Sequence, residues 1–318
     1  MGAAVVKVKA KKVETLLQPF LAGKFVGVVG GVFKNAHETA TTHEIHCNSV
    51  GIGGGAPSRK HDIRLGDIAV SAPRDGKGGV FQYDFGKTIQ NQSFRTTGFL
   101  NQPPMLLRAA VSDIKAEHEV EGHQLEDAIN SVLERKPKLR KHKRPDRGSD
   151  RLYQSGHIRP LDDGSGCFAT CGEDLSQQIL RADETGEDDN PAIHYGLIAS
   201  ANQLMKDALI RDKLAVEKDV LCFEIEVAWL MNQFPCLVIH GICGYLDSHN
   251  NKEWQGYAAM TAAAYTKDLL HRIPPNKVEA KKRIGEIYFS DLEYSQRFPK
   301  GMTGLHLAAG EGGRCERG

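Results

Sequence analysis

The last third of this chain alternates short apolar runs with helical patterns, and no other feature constrains the fold as tightly. His194 to Ser200, Val220 to Phe223 and Cys236 to Cys243 are apolar runs of strand length. Between the first two, Asn202 to Glu217 carries Leu204, Ala208, Leu209, Ile210 and Leu214 and is expected to be helical. A helix is expected from about Glu226 through Leu230, and a long Ala-rich one from Glu253 to Arg272, stopped by Pro274 and Pro275. Strands joined through helices call for crossovers, so the reading is an α/β fold: a mainly parallel or mixed central sheet with helices on both faces.

Upstream, VGIGGGAPS from Val50 ends in a glycine cluster, and DIRLGD leads into IAVSAP and then GVFQYDFG. These read as strand, loop, strand, turn, strand, with Gly51, Gly53, Gly54 and Gly55 as a glycine turn. After Pro103 and Pro104, the stretch Met105 to Arg135 places Leu106, Ala110, Ile114, Leu125, Ile129 and Val132 along an incomplete stripe, which predicts one or two amphipathic helices. Residues 1–49 are weakly patterned: a short helix at Val13 to Ala22, then Phe25 to Phe33 interrupted by Gly27, Gly30 and Gly31. Those glycines suit a turn or a phosphate cradle, but they lack the dinucleotide-binding spacing. Residues 134–151 are strongly basic and Pro-interrupted. Without interleaved aromatics they read as a solvated loop, and no nucleic-acid partner is expected. Residues 161–190 form an acidic loop that can face them.

A length of 318 residues with 40% hydrophobic side chains is enough for a full core, and 41 Lys plus Arg against 40 Asp plus Glu gives no global pull toward an anionic partner. The longest apolar runs fall far short of the roughly 20 residues that span a bilayer. The start carries Lys7, Lys9, Lys11 and Lys12 without a secretory apolar core, and Val6 stands where a myristoylation motif needs Ser or Thr, so no membrane partner is expected. Seven cysteines spread over the chain read as reduced thiols of a cytoplasmic protein. Cys167 and Cys171 lack a second ligand pair, and His43, Glu44, His46 and Cys47 do not form the zinc-helix spacing. Neither a metal nor a cofactor is expected.

From residue 50 to about 275, the ordered motifs GIGGG, GLIAS, FEIEVAWLMN and LVIHGICGYLDSHNNKEWQGYAA resemble the purine and uridine phosphorylase superfamily, in the form found in fungal multidomain proteins beside NACHT or ankyrin segments. The resemblance implies a purine nucleoside as substrate, with either phosphate or water as the attacking group, and homo-oligomers are common in the family. Breaking an N-glycosidic bond builds positive charge on the ribose and negative charge on the departing base, so such a site must hold the sugar, protonate the base and supply phosphate or water. By resemblance Glu226 would hold the ribose hydroxyls, flanked by Phe223 and Ile225, with Glu224 an equal candidate. Ser200 and Asn202 would lie near the base, and Gly53, Gly54 and Gly55 would form the phosphate or ligand loop. The family's general-acid position is occupied by Gly244, which leaves Asp247 as the nearest carboxylate for catalysis. Trp229 adds bulk where the family has small residues.

The implied division is a divergent segment at 1–49, a nucleoside phosphorylase-like domain at 50–275, a connector at 276–300 and a partial ankyrin-like repeat at 301–318. Thr303, Leu305, His306 and Ala308 carry the repeat signature, so a longer form would offer a protein-binding surface. Residues 1–49 do not resemble the family's opening strands, which leaves the sheet open to being incomplete there. With Gly244 in place of the acid, the expected function is N-glycosidic cleavage with reduced or lost activity. The alternative is a catalytically dead nucleoside-binding or interaction module of an ankyrin-containing, receptor-like protein, and a third reading is a degenerate chain that folds poorly.

Overall fold

A computed structural model of the chain describes residues 5–8, 47–91, 94–98, 100–159, 171, 175–182, 191–225, 227–231, 235–249 and 252–273. The main sheet has seven strands: β1 (Val5–Val8), β2 (Cys47–Gly55), β3 (Ile68–Ser71), β4 (Val80–Gln82), and then, beyond the small hairpin of β5 (Gly86–Lys87) and β6 (Arg95–Thr96), β7 (Ile193–Ser200), β8 (Val220–Glu224) and β9 (Cys236–Gly244). Pairing is parallel for β1–β2, β2–β9, β3–β7, β4–β7 and β7–β8, and antiparallel for β2–β8 and β3–β9. The fold is thus α/β with a mixed, mainly parallel sheet. The pairings β2–β9–β3–β7–β8–β2 close a ring, so the sheet curls back on itself. The expected strand and helix boundaries in the last third agree with the structure to within one or two residues, except at the helix placed at Asn202.

That helix, α3 (Ala208–Lys218), begins six residues later than expected, because the Asp207 carboxylate accepts from the backbone N–H groups of Leu209 and Ile210 and fixes the start there. The stripe from Met105 to Arg135 resolves into two helices, α1 (Met105–Glu121) and α2 (Leu125–Arg135), broken at Gly122 in the left-handed region. Val227–Met231 forms the short α4, and Trp254–His271 forms α5.

α5 is buried nearly all round, which explains its run of alanines: small side chains let it lie directly on the sheet. At Gly241 of β9 a Cβ would stand 1.8 Å from the Ala258 carbonyl oxygen, so only glycine fits beneath the helix. The larger core packs α1, α2 and α5 against the sheet around Leu107, Ile114, Ile129, Ile239, Met260 and Tyr265. A second cluster, with Leu197, Ala199, Phe223 and Met205, underlies α3.

One further expectation changes, and two open points gain detail. Within residues 1–49, whose pairing the sequence left open, Val5–Val8 pairs with β2, and β2 begins at Cys47. The stretch Gly51 to Gly55 is not a turn but the second half of β2. The basic segment, expected as a solvated loop, is largely exposed and carries two short 3-10 helices, Pro137–His142 and Arg147–Ser149. The helix and glycine turn expected within 13–33, the acidic residues 161–170 and 183–190, the connector and the ankyrin-like segment lie outside the described residues. Among the described residues no helix is long and apolar enough to cross a membrane.

Candidate functional site

The two groups of strands run in opposite directions and meet tip to tip. β2 and β8 overlap by two residues only, Gly54 opposite Phe223 and Gly55 opposite Cys222, so the carboxyl ends of β2 and β9 abut those of β7 and β8. Register then sets one row across five strands: Gly244, Gly54, Phe223, Ala199 and Phe81. A second row places Glu224 beside Ser200 and Ser200 beside Gln82. At about 4.8 Å per strand, Gly244 and Phe223 stand roughly 10 Å apart, the length scale of a nucleoside.

Glu224 and Ser200 both serve the start of α4. The Glu224 carboxylate accepts from the Val227 N–H at 2.9 Å, and the Ser200 hydroxyl oxygen accepts from the Ala228 N–H at 2.9 Å. Both side chains are buried, Ser200 fully, so they anchor the segment that carries Ile225, itself more than a third exposed. Glu226, expected to hold the ribose, lies outside the described residues, as do the side chains of Trp229 and Leu230. Phe223 is buried in the second cluster, with the Tyr83 ring edge-on to it at 5.5 Å. Burial, reinforced by the charges of Asp84 and Glu224, pushes the Tyr83 hydroxyl pKa above its ordinary value.

Asn202 is exposed, and both its backbone N–H, at 2.7 Å, and its side-chain amide donate to Asp84. The Gln82 amide donates to the other oxygen of Asp84 at 3.0 Å. This Gln82, Asp84, Asn202 rim is absent from the sequence expectations. The only trace of it in the sequence is the Gln-Tyr-Asp step that closes the third strand-like run.

The glycines of β2 are explained by close approach. A Cβ on Gly53 would meet Cys222 and His240; on Gly54, Leu246 at 2.1 Å; on Gly55, Ile242 and Ile63. Leu246 holds this position from the left-handed region, φ 60°, where a non-glycine residue is strained. Gly54 and Gly55 also stand in the β8 ladder, and the next N–H, of Ala56, donates to the Leu221 carbonyl at 2.9 Å. A Cβ on Gly244, by contrast, would meet nothing within 4 Å. Among the described residues, no side chain occupies the space beside Gly244, the position to which the sequence resemblance assigns the missing acid.

Asp247 is buried, and its carboxylate accepts from the His249 backbone N–H at 2.9 Å. Burial holds its carboxyl above the usual carboxylate range, against the opposing pull of His249 and Arg211. Burial likewise lowers the His249 imidazole pKa. That ring lies flat on Tyr153 at 3.8 Å and beside His157 at 5.2 Å. The neighbouring Tyr245 donates its hydroxyl to Asp150, which also receives Arg181 at 2.8 Å, so the turn after β9 is pinned from both sides.

A cleft of about 200 Å³ lies beside β4 and the β5–β6 hairpin, lined by Lys77, Val80, Phe81, Phe85, Thr97 and Leu100 among others. It borders the rows of strand ends at Phe81 and Gln82 but includes neither Glu224, Gly244 nor Asp247. Among the described residues no three His, Cys, Asp or Glu side chains are grouped to hold a metal. His43, Glu44, His46 and Cys167 lie outside those residues, and Cys171 is a buried free thiol.

No family model matches the chain. Over 235 residues it is 43% identical to a nucleotide-binding leucine-rich repeat (NLR)-like protein of Hyaloscypha variabilis, an alignment covering 74% of this chain and 22% of that protein. The chain therefore spans about a fifth of the length of this curated relative. Among solved structures it is similar to a putative 5'-methylthioadenosine/S-adenosylhomocysteine nucleosidase from Borrelia burgdorferi bound to adenine, at 14% identity and TM-score 0.47, covering 84% of this chain and 98% of that one. It is also similar to a mutant of the Helicobacter pylori nucleosidase with 5'-methylthioadenosine, at 14% identity and TM-score 0.44, covering 85% and 99%. The native futalosine hydrolase of Helicobacter pylori follows at 13% identity and TM-score 0.43, covering 84% and 96%.

Proposed function

We propose that this chain carries a nucleoside phosphorylase-like domain that binds purine nucleosides across the strand ends of β7, β8 and β9 and cleaves their N-glycosidic bond slowly, because the position for the base-protonating acid is Gly244. The observation that carries this reading is the register row that places the open position at Gly244 roughly 10 Å from Phe223 and the neighbouring Glu224. The ordered family motifs of the sequence fall on these same strand ends.

In this reading Ser200 and Glu224 are positioning residues. They fix the start of α4 and so the position of Ile225; on the sequence resemblance alone we assign the ribose hydroxyls to Glu226. Phe223 and Tyr83 form an aromatic wall, and Asn202 with Asp84 forms the polar rim. Cleavage needs a proton on the base as the C1'–N bond breaks, with water or phosphate adding to C1'. Asp247 is the group we assign to supply that proton, since its buried carboxyl keeps a proton to higher pH than an exposed Asp. Gly53, Gly54 and Gly55 enter this reading as the ligand loop by resemblance alone, since Cys222, Leu246 and Ile242 occupy the space beside them.

The open space at Gly244 also favours a second reading, a nucleoside-binding module without turnover in a longer receptor-like protein. There residues 301–318 would open an ankyrin-like partner surface. We place the protein in the cytoplasm on its buried free thiols Cys171, Cys222 and Cys236, and we leave homo-oligomerisation as part of the family reading. The discriminating experiment incubates purified protein with adenosine, inosine and guanosine, with and without phosphate, and measures free base. Slow release establishes the enzyme and its nucleophile, whereas saturable binding without release establishes the module.

A further inference from the structure

The segment 134–151 holds nine Lys or Arg against three Asp or Glu, leaving 32 against 37 in the rest of the chain. Its positive charge is therefore local, and the structure fixes where it points. The backbone is pinned to α5 from several sides. His142 lies against Gly256, where a Cβ would come within 2.1 Å of its ring, and the Arg144 guanidinium sits 6.0 Å above the Tyr257 ring. The Trp254 indole N–H donates to Ser149 at 2.9 Å, and Asp146 accepts from the Gly148 N–H at 2.8 Å.

Held this way, the strap turns Arg135, Lys136, Lys138, Arg140, Lys141, Lys143 and Arg147 to solvent. Lys136, Lys138, Lys141 and Lys143 form no ion pair with the described residues, whereas Asp150, the one half-buried carboxylate of the strap, is engaged by Arg181 and Tyr245. In the 3-10 helix Pro137–His142, residues three apart eclipse, so Lys138 and Lys141 share a side about 6 Å apart. That is close to two steps of the roughly 3.4 Å axial spacing of charges along one nucleic-acid strand. Pro137 is the one exposed apolar side chain of the strap, and Leu139 is half-buried, so the strap offers no large apolar side chain to insert into a bilayer.

We propose that this strap is a binding surface for the phosphate backbone of nucleic acid, without base selectivity. Composition read alone favours a solvated loop; four exposed lysines on an anchored strap, with no carboxylate partner among the described residues, change that reading. Four neutralised phosphates give a salt slope of about −3.6, so affinity should fall about 150-fold between 50 and 200 mM monovalent salt.

The test uses the full chain and fluorescence anisotropy with a labelled 30-base-pair DNA duplex and a labelled single-stranded RNA. A K136Q/K138Q/K141Q/K143Q variant, whose changes are all on exposed side chains, is compared after its thermal melt is checked. Binding of either nucleic acid at 50 mM salt, at least 10-fold weaker in the variant and with the slope reduced by about 3.6 for the duplex or about 2.8 for the single strand, supports the proposal. No binding, binding unchanged in a variant that melts as wild type does, or capture only by phosphatidylserine vesicles or polyglutamate would overturn it. If the quadruple variant does not fold, charge-preserving K136R/K138R/K141R/K143R must bind as wild type does, and its failure would equally overturn the proposal.

Discussion

Restoring a carboxylate at Gly244 is the most informative single change. Gly244 closes β9, its φ lies outside the left-handed region, and a Cβ there meets no atom of the described residues within 4 Å, so Gly244→Asp adds a side chain without displacing any of them. Stability should move by no more than about 0.5 kcal/mol, as for other substitutions into open space. If the missing proton donor is what limits cleavage, the gain is that of a positioned general acid: about 10² to 10⁴ in rate, or roughly 2.7 to 5.5 kcal/mol of barrier. The assay is free-base release from adenosine, inosine and guanosine over pH 4 to 9, with melting temperature and nucleoside affinity measured in parallel. Gly244→Asn is the control, since it matches Asp in shape but gives up no proton at these pH values. The reasoning predicts a large rise for Asp, little for Asn, and a new loss of rate at high pH as the introduced acid ionises. A Gly244→Asp protein that folds and binds nucleoside yet cleaves no faster would refute it.

Other changes probe the frame. Ser200→Ala leaves the buried Ala228 N–H without its acceptor and should cost about 1 to 3 kcal/mol in urea unfolding. Gly54→Ala forces its Cβ into Leu246 and should cost about 1 to 3 kcal/mol, partly recovered in the double variant with Leu246→Gly, which also relieves the left-handed strain. Gly241→Ala meets the Ala258 backbone rather than a side chain, so it should lose more than Gly54→Ala does. For Asp247 the folded pKa lies above the unfolded value of about 3.9, so the unfolded chain releases this proton first. This group's contribution to stability is therefore highest below about pH 4 and falls as pH climbs toward the folded pKa. Asp247→Asn should gain stability relative to wild type between pH 4 and 7 while losing residual cleavage.

The alternating third of the chain was legible because its strands are continuous apolar runs, buried on both faces, and its helices carry clear stops. The helix start at Ala208 was hidden because Asn202 to Asp207 contains nothing that excludes a helix; the decisive contact is the Asp207 cap. The β2 glycines read as a turn because glycine is commonest there. Their actual cause, the approach of Leu246, Cys222 and Ile242, is tertiary and leaves no local mark. At the site, Gly244 and Ser200 were singled out by motif position, but the bond from Ala228 to Ser200 and the Asp84 rim were not, because each joins segments that only the sheet brings together. The anchoring of the basic strap was hidden for the same reason: Trp254, Gly256 and Tyr257 are more than a hundred residues away.

The central claim is that these strand ends form a purine-nucleoside site. Isothermal titration of the wild-type protein with adenosine, inosine and guanosine tests it most directly. The account predicts saturable one-site binding to at least one of them, weakened by Glu226→Ala in a variant that keeps its melting temperature. A cooperatively folded sample that gives no binding heat at any temperature tried, and releases no base, would contradict it.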